Sequence, residues 1–181
     1  MRLVLLFLCS LAITASASAQ NTWQNLHFGE PTDSVRSQLA TQNIAVATSP
    51  EGTLQSTADY QLPIPGLSNT FPMQVNVHFD TQSNLSDVTL ALDLLGMRRY
   101  WGTVGPDEAI YNFASEKLMG ALSGRYGAPI YSSNDCSEPL KPGSYCIVSW
   151  HGTDQTIELE RALSSRGLRL LIRYQPLVTA L

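Results

Sequence analysis

The residues best equipped for chemistry fall into four groups. The first lies in WQNLHFGEPTDSVRSQL, Trp23 to Leu39, where His27, Glu30, Asp33 and Arg36 stand within ten residues. An imidazole, two carboxylates and a guanidinium at such spacing could move protons or hold a ligand. The second is His78-x-Asp80. Its spacing puts an imidazole and a carboxylate on one strand face, half of a metal site that Asp87 could join from a partner strand. The third is the carboxylate pair Glu158 and Glu160, again two residues apart. The fourth is GMRRYWG, Gly96 to Gly102, which concentrates Arg98, Arg99, Tyr100 and Trp101. Arg, Tyr and Trp are enriched at the hot spots of protein interfaces.

Each group also has a plainer reading. The first reads as a helix start: Gly29 makes a tight turn, Thr32 caps, Val35 and Leu39 bury, and Arg36 points outward. His78 and Asp80 read as a solvated strand face beside a turn. The DTQSNLSD loop lacks the turn glycine and closing acid of an EF-hand. Glu158 and Glu160 are expected to face arginines. Tyr100 and Trp101 could instead pack under a helix, with the arginines paired to nearby acids. No G-x-S-x-G, S-x-x-K or H-E-x-x-H occurs, and Gly102-x-x-Gly105 is a turn, not a phosphate loop. No catalytic, metal-binding or cofactor-binding residue is therefore assigned. Arg161 is anomalous: it falls in phase with the apolar Ile157 and Leu159, where a charge is costly unless paired or snorkelling. It is read as lying at a sheet end, with a buried functional arginine as the alternative.

The whole chain narrows the setting. MRLVLLFLCSLAITASASAQ has a charged start, an apolar run and an Ala17-Ser18-Ala19 cleavage site. Residues 1–19 thus read as a signal peptide, leaving one domain over 20–181. The run is shorter than the roughly 20 residues that span a bilayer. Leu8 precedes Cys9 where a lipobox wants a small residue, so Cys9 leaves with the signal. Losing Arg2 takes the formal charge from −4 to −5, and the lysines are Lys117 and Lys141 alone. That balance offers no footprint for nucleic acid or an anionic membrane, and no later segment is apolar enough to span a membrane. Export means an oxidising compartment, so Cys136 and Cys146 in CSEPLKPGSYC are expected to form a disulfide.

Two helices are predicted, from about Asp33 to Thr41 and from near Pro106 to Tyr126. The second has Asp107 and Glu108 in its first turn, Arg125 in its last, and Gly127 and Pro129 to stop it. MQVNVHFD and SDVTLALDL alternate as a hairpin, and YCIVSW, TIELER and LRLLIRY supply three further strands. Placing Leu163 opposite Leu168 sets Ile157 against Tyr174, Leu159 against Ile172 and Glu158 against Arg173. The pattern between Ile44 and Tyr60 is weaker, one or two short strands. The fold expected is α+β and two-layered, with helices packed on one face of an antiparallel sheet and an α-then-β-meander unit occurring twice in tandem.

Two short patterns carry a resemblance. Gly29-x-x-Thr32-x-x-Val35-x-x-x-Leu39 is similar to the helix start of small exported bacterial domains. Ala121-Leu122-x-x-x-Tyr126-Gly127-x-Pro129, followed by Trp150, is similar to the L-x-x-x-(Y/F)-G-x-P…W pattern after such helices. Together they resemble the SmpA/BamE-like and β-lactamase-inhibitor-protein-like group over Trp23–Leu39 and, more loosely, Asp107–Tyr174. The resemblance implies a two-layer fold and a binding or assembly role in the cell envelope. The chain lacks a lipobox and the Gly-Met start of the assembly-factor branch, and no family site residue carries over.

The resulting expectation is an exported, periplasmic or secreted, non-enzymatic binding domain of the bacterial cell envelope, with a protein partner and no cofactor. Its recognition loops would be those around 62–72, 96–105 and 131–146, with Arg98, Arg99, Tyr100 and Trp101 as partner-binding residues. LPIPGL, Leu62 to Leu67, is a further exposed apolar candidate. The alternative is a small hydrolase or metal-dependent enzyme whose site leaves no local motif.

Overall fold

The computed structural model describes residues 23–102, 106–133, 136, 143, 145–164 and 167–177, the side chains of Tyr100 and Ser164 excepted. The expected signal peptide, with Cys9, lies outside these residues. Helix α1 (Thr32–Thr41) comes first, then strands β1 (Val46–Thr48), β2 (Leu54–Ser56) and β3 (Tyr60–Pro63). The long hairpin strands β4 (Thr70–Phe79) and β5 (Leu85–Leu92) lead into α2 (Leu94–Trp101) and α3 (Asp107–Tyr126). Strands β6 (Tyr131–Ser132), β7 (Tyr145–His151), β8 (Gln155–Ser164) and β9 (Gly167–Pro176) follow.

Period-2 burial explains the long strands. Phe71, Met73, Val75 and Val77 of β4 and Val88, Leu90 and Leu92 of β5 are buried, on the same face as Ile157, Leu159, Leu170, Ile172 and Tyr174. The pairing of β8 with β9 has the expected register: Leu163 opposite Leu168, Leu159 opposite Ile172, Ile157 opposite Tyr174, and Glu158 opposite Arg173. In β4 and β5, Val75 faces Leu90 and Val77 faces Val88. Helix α3 packs against β7, β8 and β9 through Ile110, Ala114, Leu118 and Leu122, while α2 packs on β4 and α3. No helix among the described residues is long and apolar enough to cross a membrane.

The balance of the fold differs from the two-layer α+β expectation. The dominant element is one nine-stranded antiparallel sheet, in the order β1-β2-β4-β5-β9-β8-β7-β6, with β3 also paired to β4. Strand outweighs helix, so the chain is a large sheet carrying a few helices, not two comparable layers. Strands β1, β2, β3 and β6 hold 3, 3, 4 and 2 residues, too few to show a period. Strands β5 and β9, which end the two halves, pair with each other. Leu90 faces Ile172 and Val88 faces Tyr174, so the halves share one sheet.

The opening polar cluster is consumed in building this fold. Gly29 adopts φ +84°, and its N–H donates to the Leu85 carbonyl at 3.0 Å. Glu30 accepts from Gln38 Nε2 at 2.6 Å and stands 4.0 Å from His27. Arg36 donates to the Thr48 hydroxyl at 2.8 Å, fixing α1 to β1. Thr32 is the first residue of α1, with Pro31 at the cap position, and its hydroxyl donates to the Ser83 carbonyl at 3.1 Å. This segment ties the N-terminal end of α1 to the β4–β5 turn.

Candidate functional site

GMRRYWG does not form a loop, as the expected 96–105 recognition segment requires. Asp93 caps α2 by accepting from the backbone N–H groups of Leu95 and Gly96 at 3.0 and 2.9 Å. A Cβ on Gly96 would stand 2.9 Å from the Pro72 Cβ, so its bare Cα lets the helix lie close to β4. Trp101 turns inward: Nε1 donates to the Thr70 carbonyl at 2.9 Å, and its ring meets Phe71 at 5.4 Å and Phe113 at 5.5 Å. Arg98 pairs with Asp107 at the start of α3. Arg99 is exposed and within electrostatic reach of Asp59. The Tyr100 side chain lies outside the described residues. Trp101 is therefore packing, and Arg98 joins two helices.

The other sequence candidates are placed as follows. Cys136 and Cys146 form a disulfide with Cα atoms 5.0 Å apart, holding the loop before β7 to the sheet. His78 Nε2 lies 3.9 Å from Asp87, and its Nδ1 lies 3.3 Å from the Thr53 hydroxyl. Asp80 is not directed at them. Its Oδ1 accepts from the N–H groups of Gln82 and Asn84, holding the turn between β4 and β5. Glu160 is buried, accepting from Arg169 and from the Tyr145 hydroxyl at 3.1 Å, while Glu158 faces Arg173 across the strands. Arg161 is 9% exposed on the core-facing side and donates to Asn112 Oδ1 at 2.9 Å. Burial pulls its pKa below the ordinary arginine value.

One recess joins parts of the chain that local motifs did not connect. Trp23, Tyr60, Tyr126 and Tyr174 surround a cleft of about 390 Å³, with Leu62, Pro63 and Arg125 at its border. Four structural sources build it: the segment before α1, strand β3, the C-terminal end of α3, and β9. Trp23 and Tyr60 meet edge to face with centroids 5.1 Å apart. Gln24 Nε2 donates to the Tyr60 hydroxyl at 2.5 Å, and Gln42 Nε2 donates to the Gln24 carbonyl at 2.5 Å. These bonds hold Gln24 and Asn25 at φ 55° and 59°, a left-handed pair that costs non-glycine residues energy. Arg125 lies over the Tyr126 ring, 5.3 Å from its centroid.

No protein-family model, curated protein or solved structure matches the chain.

Electrostatics keep the phenols of the cleft protonated. Burial raises the pKa of Tyr174 well above the ordinary phenol value, with Tyr126 and Tyr60 pushing the same way and Arg125 opposing. Burial also raises Tyr60 and Tyr126. All three phenols therefore keep their protons at neutral pH. The residues around the cleft include no carboxylate. Sequence reading placed Tyr174 among the apolar positions of its strand, and Tyr60 fell in the weakly patterned stretch. Tyr126 entered only as part of a helix-stop pattern. The one usable signal was that all of them are Tyr or Trp, and that signal carries no position.

Proposed function

We propose that this chain is an exported, non-enzymatic binding domain of a bacterial cell envelope, periplasmic or secreted, and that it recognises a partner through the Trp23–Tyr60–Tyr126–Tyr174 cleft. The observation carrying this reading is the joining of four aromatic side chains from four separate structural sources around one recess. Aromatic residues supply large contact area at low entropic cost, and Tyr, Trp and Arg dominate recognition hot spots. The backbone pair Gln24 and Asn25, held in a costly conformation beside the recess, fits a pre-organised site. Export is supported by the Cys136–Cys146 disulfide, which persists in oxidising compartments.

Site-specific photo-crosslinking in the native envelope tests it. A photoreactive residue at Pro63, on the border of the cleft, is compared with one at Gln82 in the β4–β5 turn. A discrete adduct formed from Pro63 and not from Gln82 is the expected result. Equal labelling from both positions, or none from Pro63 in folded protein, overturns recognition of a macromolecule through this cleft.

A further inference from the structure

Resting on that reading of the cleft, the geometry points to its ligand class: we infer that it binds a carboxylate carried on an apolar body, with Tyr174 and Arg125 holding the anion. Tyr174 is 4% exposed, lines the cleft, and has no hydrogen-bond partner for its hydroxyl among the described residues. The Tyr174 hydroxyl is not among the fully buried unpartnered polar atoms, so it opens onto the cleft, where a bound acceptor can take the place of water. Tyr126 also lines the cleft and likewise has no hydrogen-bond partner among the described residues. Arg125 adds a guanidinium at the same end, stacked on Tyr126 and forming no ion pair among the described residues.

The inventory decides between ligand types. Two unpartnered phenols and a guanidinium offer proton donors, and no carboxylate stands among the lining residues to receive one from a ligand. A sugar brings as many donors as acceptors, and among the lining side chains only the Gln24 and Asn25 amide oxygens and the phenol lone pairs could receive its hydroxyl protons. A carboxylate brings acceptors only, and guanidinium–carboxylate bonds are among the stronger hydrogen bonds. Trp23 and Leu62 supply apolar wall for the remainder of the ligand. At about 390 Å³ the recess suits one ring-sized group. Such a group can be a free aryl carboxylic acid or the last residue of a peptide with a free C-terminus.

Calorimetry on the mature, oxidised protein separates these cases. 3-Phenylpropionate is titrated against 3-phenylpropanamide, and a tetrapeptide ending in Phe with a free carboxylate against its C-terminal amide. The inference expects each acid to bind at least about tenfold more tightly than its amide. Tyr174→Phe and Arg125→Gln are each expected to weaken the acid by about tenfold with the urea midpoint unchanged. Preference for the peptide acid identifies a chain terminus as the source, and preference for phenylpropionate identifies a free small acid. Equal binding of acid and amide, no binding of either acid, or acid binding indifferent to Arg125→Gln overturns the inference. If crosslinking from Pro63 succeeds while the acids fail, the cleft remains the recognition site and only the ligand class is wrong. If both Tyr174→Phe and Arg125→Gln shift the urea midpoint, Tyr126→Phe replaces them, and an unchanged acid affinity there also counts against the inference.

Discussion

The Trp101 indole donates to the Thr70 carbonyl at 2.9 Å while its ring packs between Phe71 and Phe113. The bond crosses from the last residue of α2 to the first of β4. Trp101→Ala should therefore lower stability by about 2–4 kcal/mol, below the top of the range for a fully buried aromatic. Urea denaturation measures this. A loss under about 0.5 kcal/mol, typical of an uninvolved surface residue, would return Trp101 to the exposed contact role that its sequence suggests.

Two neighbouring acids should respond with opposite signs. Asp93 caps α2, so Asp93→Ala should cost about 1 kcal/mol. Asp59 has its pKa raised, first by burial and then by the Asp93 carboxylate, with Arg99 opposing. A raised carboxyl pKa means the folded state holds the proton more tightly than the unfolded chain does. Stability from this group is present below the unfolded value of 3.8 and falls as pH rises through the higher folded value. Asp59→Asn should remove that slope and raise stability at pH 7 by less than about 1 kcal/mol, since the group is mostly solvated. Urea midpoints between pH 3 and pH 7 would read both effects; a loss at pH 7 in Asp59→Asn would contradict the assignment.

Reducing the Cys136–Cys146 bond releases a link between residues 10 apart in sequence. Loop-closure entropy for such a span gives a loss of about 2–3 kcal/mol. Comparing oxidised protein with the Cys136→Ser, Cys146→Ser double variant by thermal unfolding tests this. Coincident unfolding curves would show that the loop is held by other contacts.

Arg161 has Asn112 as its hydrogen-bond partner among the described residues, and burial disfavours its charge. Arg161→Met keeps the apolar stem and removes the desolvation cost. Its expected effect is between no change and a gain of about 1 kcal/mol. A measured loss above about 2 kcal/mol would mean that the charge is compensated and important to the fold.

The long elements were readable because their periods are strong. The register of β8 on β9 follows from Leu159, Ile157 and Glu158 each finding a matching partner, and α3 from Asp107 through Gly127 has its expected start and stop. Helix α2 was not readable. Its 8 residues are too few for a clear apolar stripe, and its stability rests on the Asp93 cap and the close approach at Gly96. The overall architecture was misread for a related reason: pairing between β5 and β9 is non-local, and no pattern within either strand specifies it. The disulfide was legible from cysteine count and compartment. The cleft was not, because Trp23, Tyr60, Tyr126 and Tyr174 meet only after β3, α3 and β9 are assembled. Tyr126 and Gly127, read as a helix-stop pattern, place one phenol in that recess and turn the chain at φ 87°.

The meeting of β5 with β9 also sets an order of events. Synthesis delivers β5 long before β9, whose first residue is Gly167. Until then the backbone from Val88 to Ala91 is an open edge beside apolar Leu90, the kind of edge that invites pairing with a wrong chain. Completion of the N-terminal half thus waits for β9, and a chain in which β9 has not yet docked exposes this edge to aggregation. A holdase acting on this protein would have its clearest target there, on a strand that the finished molecule hides in the middle of its sheet.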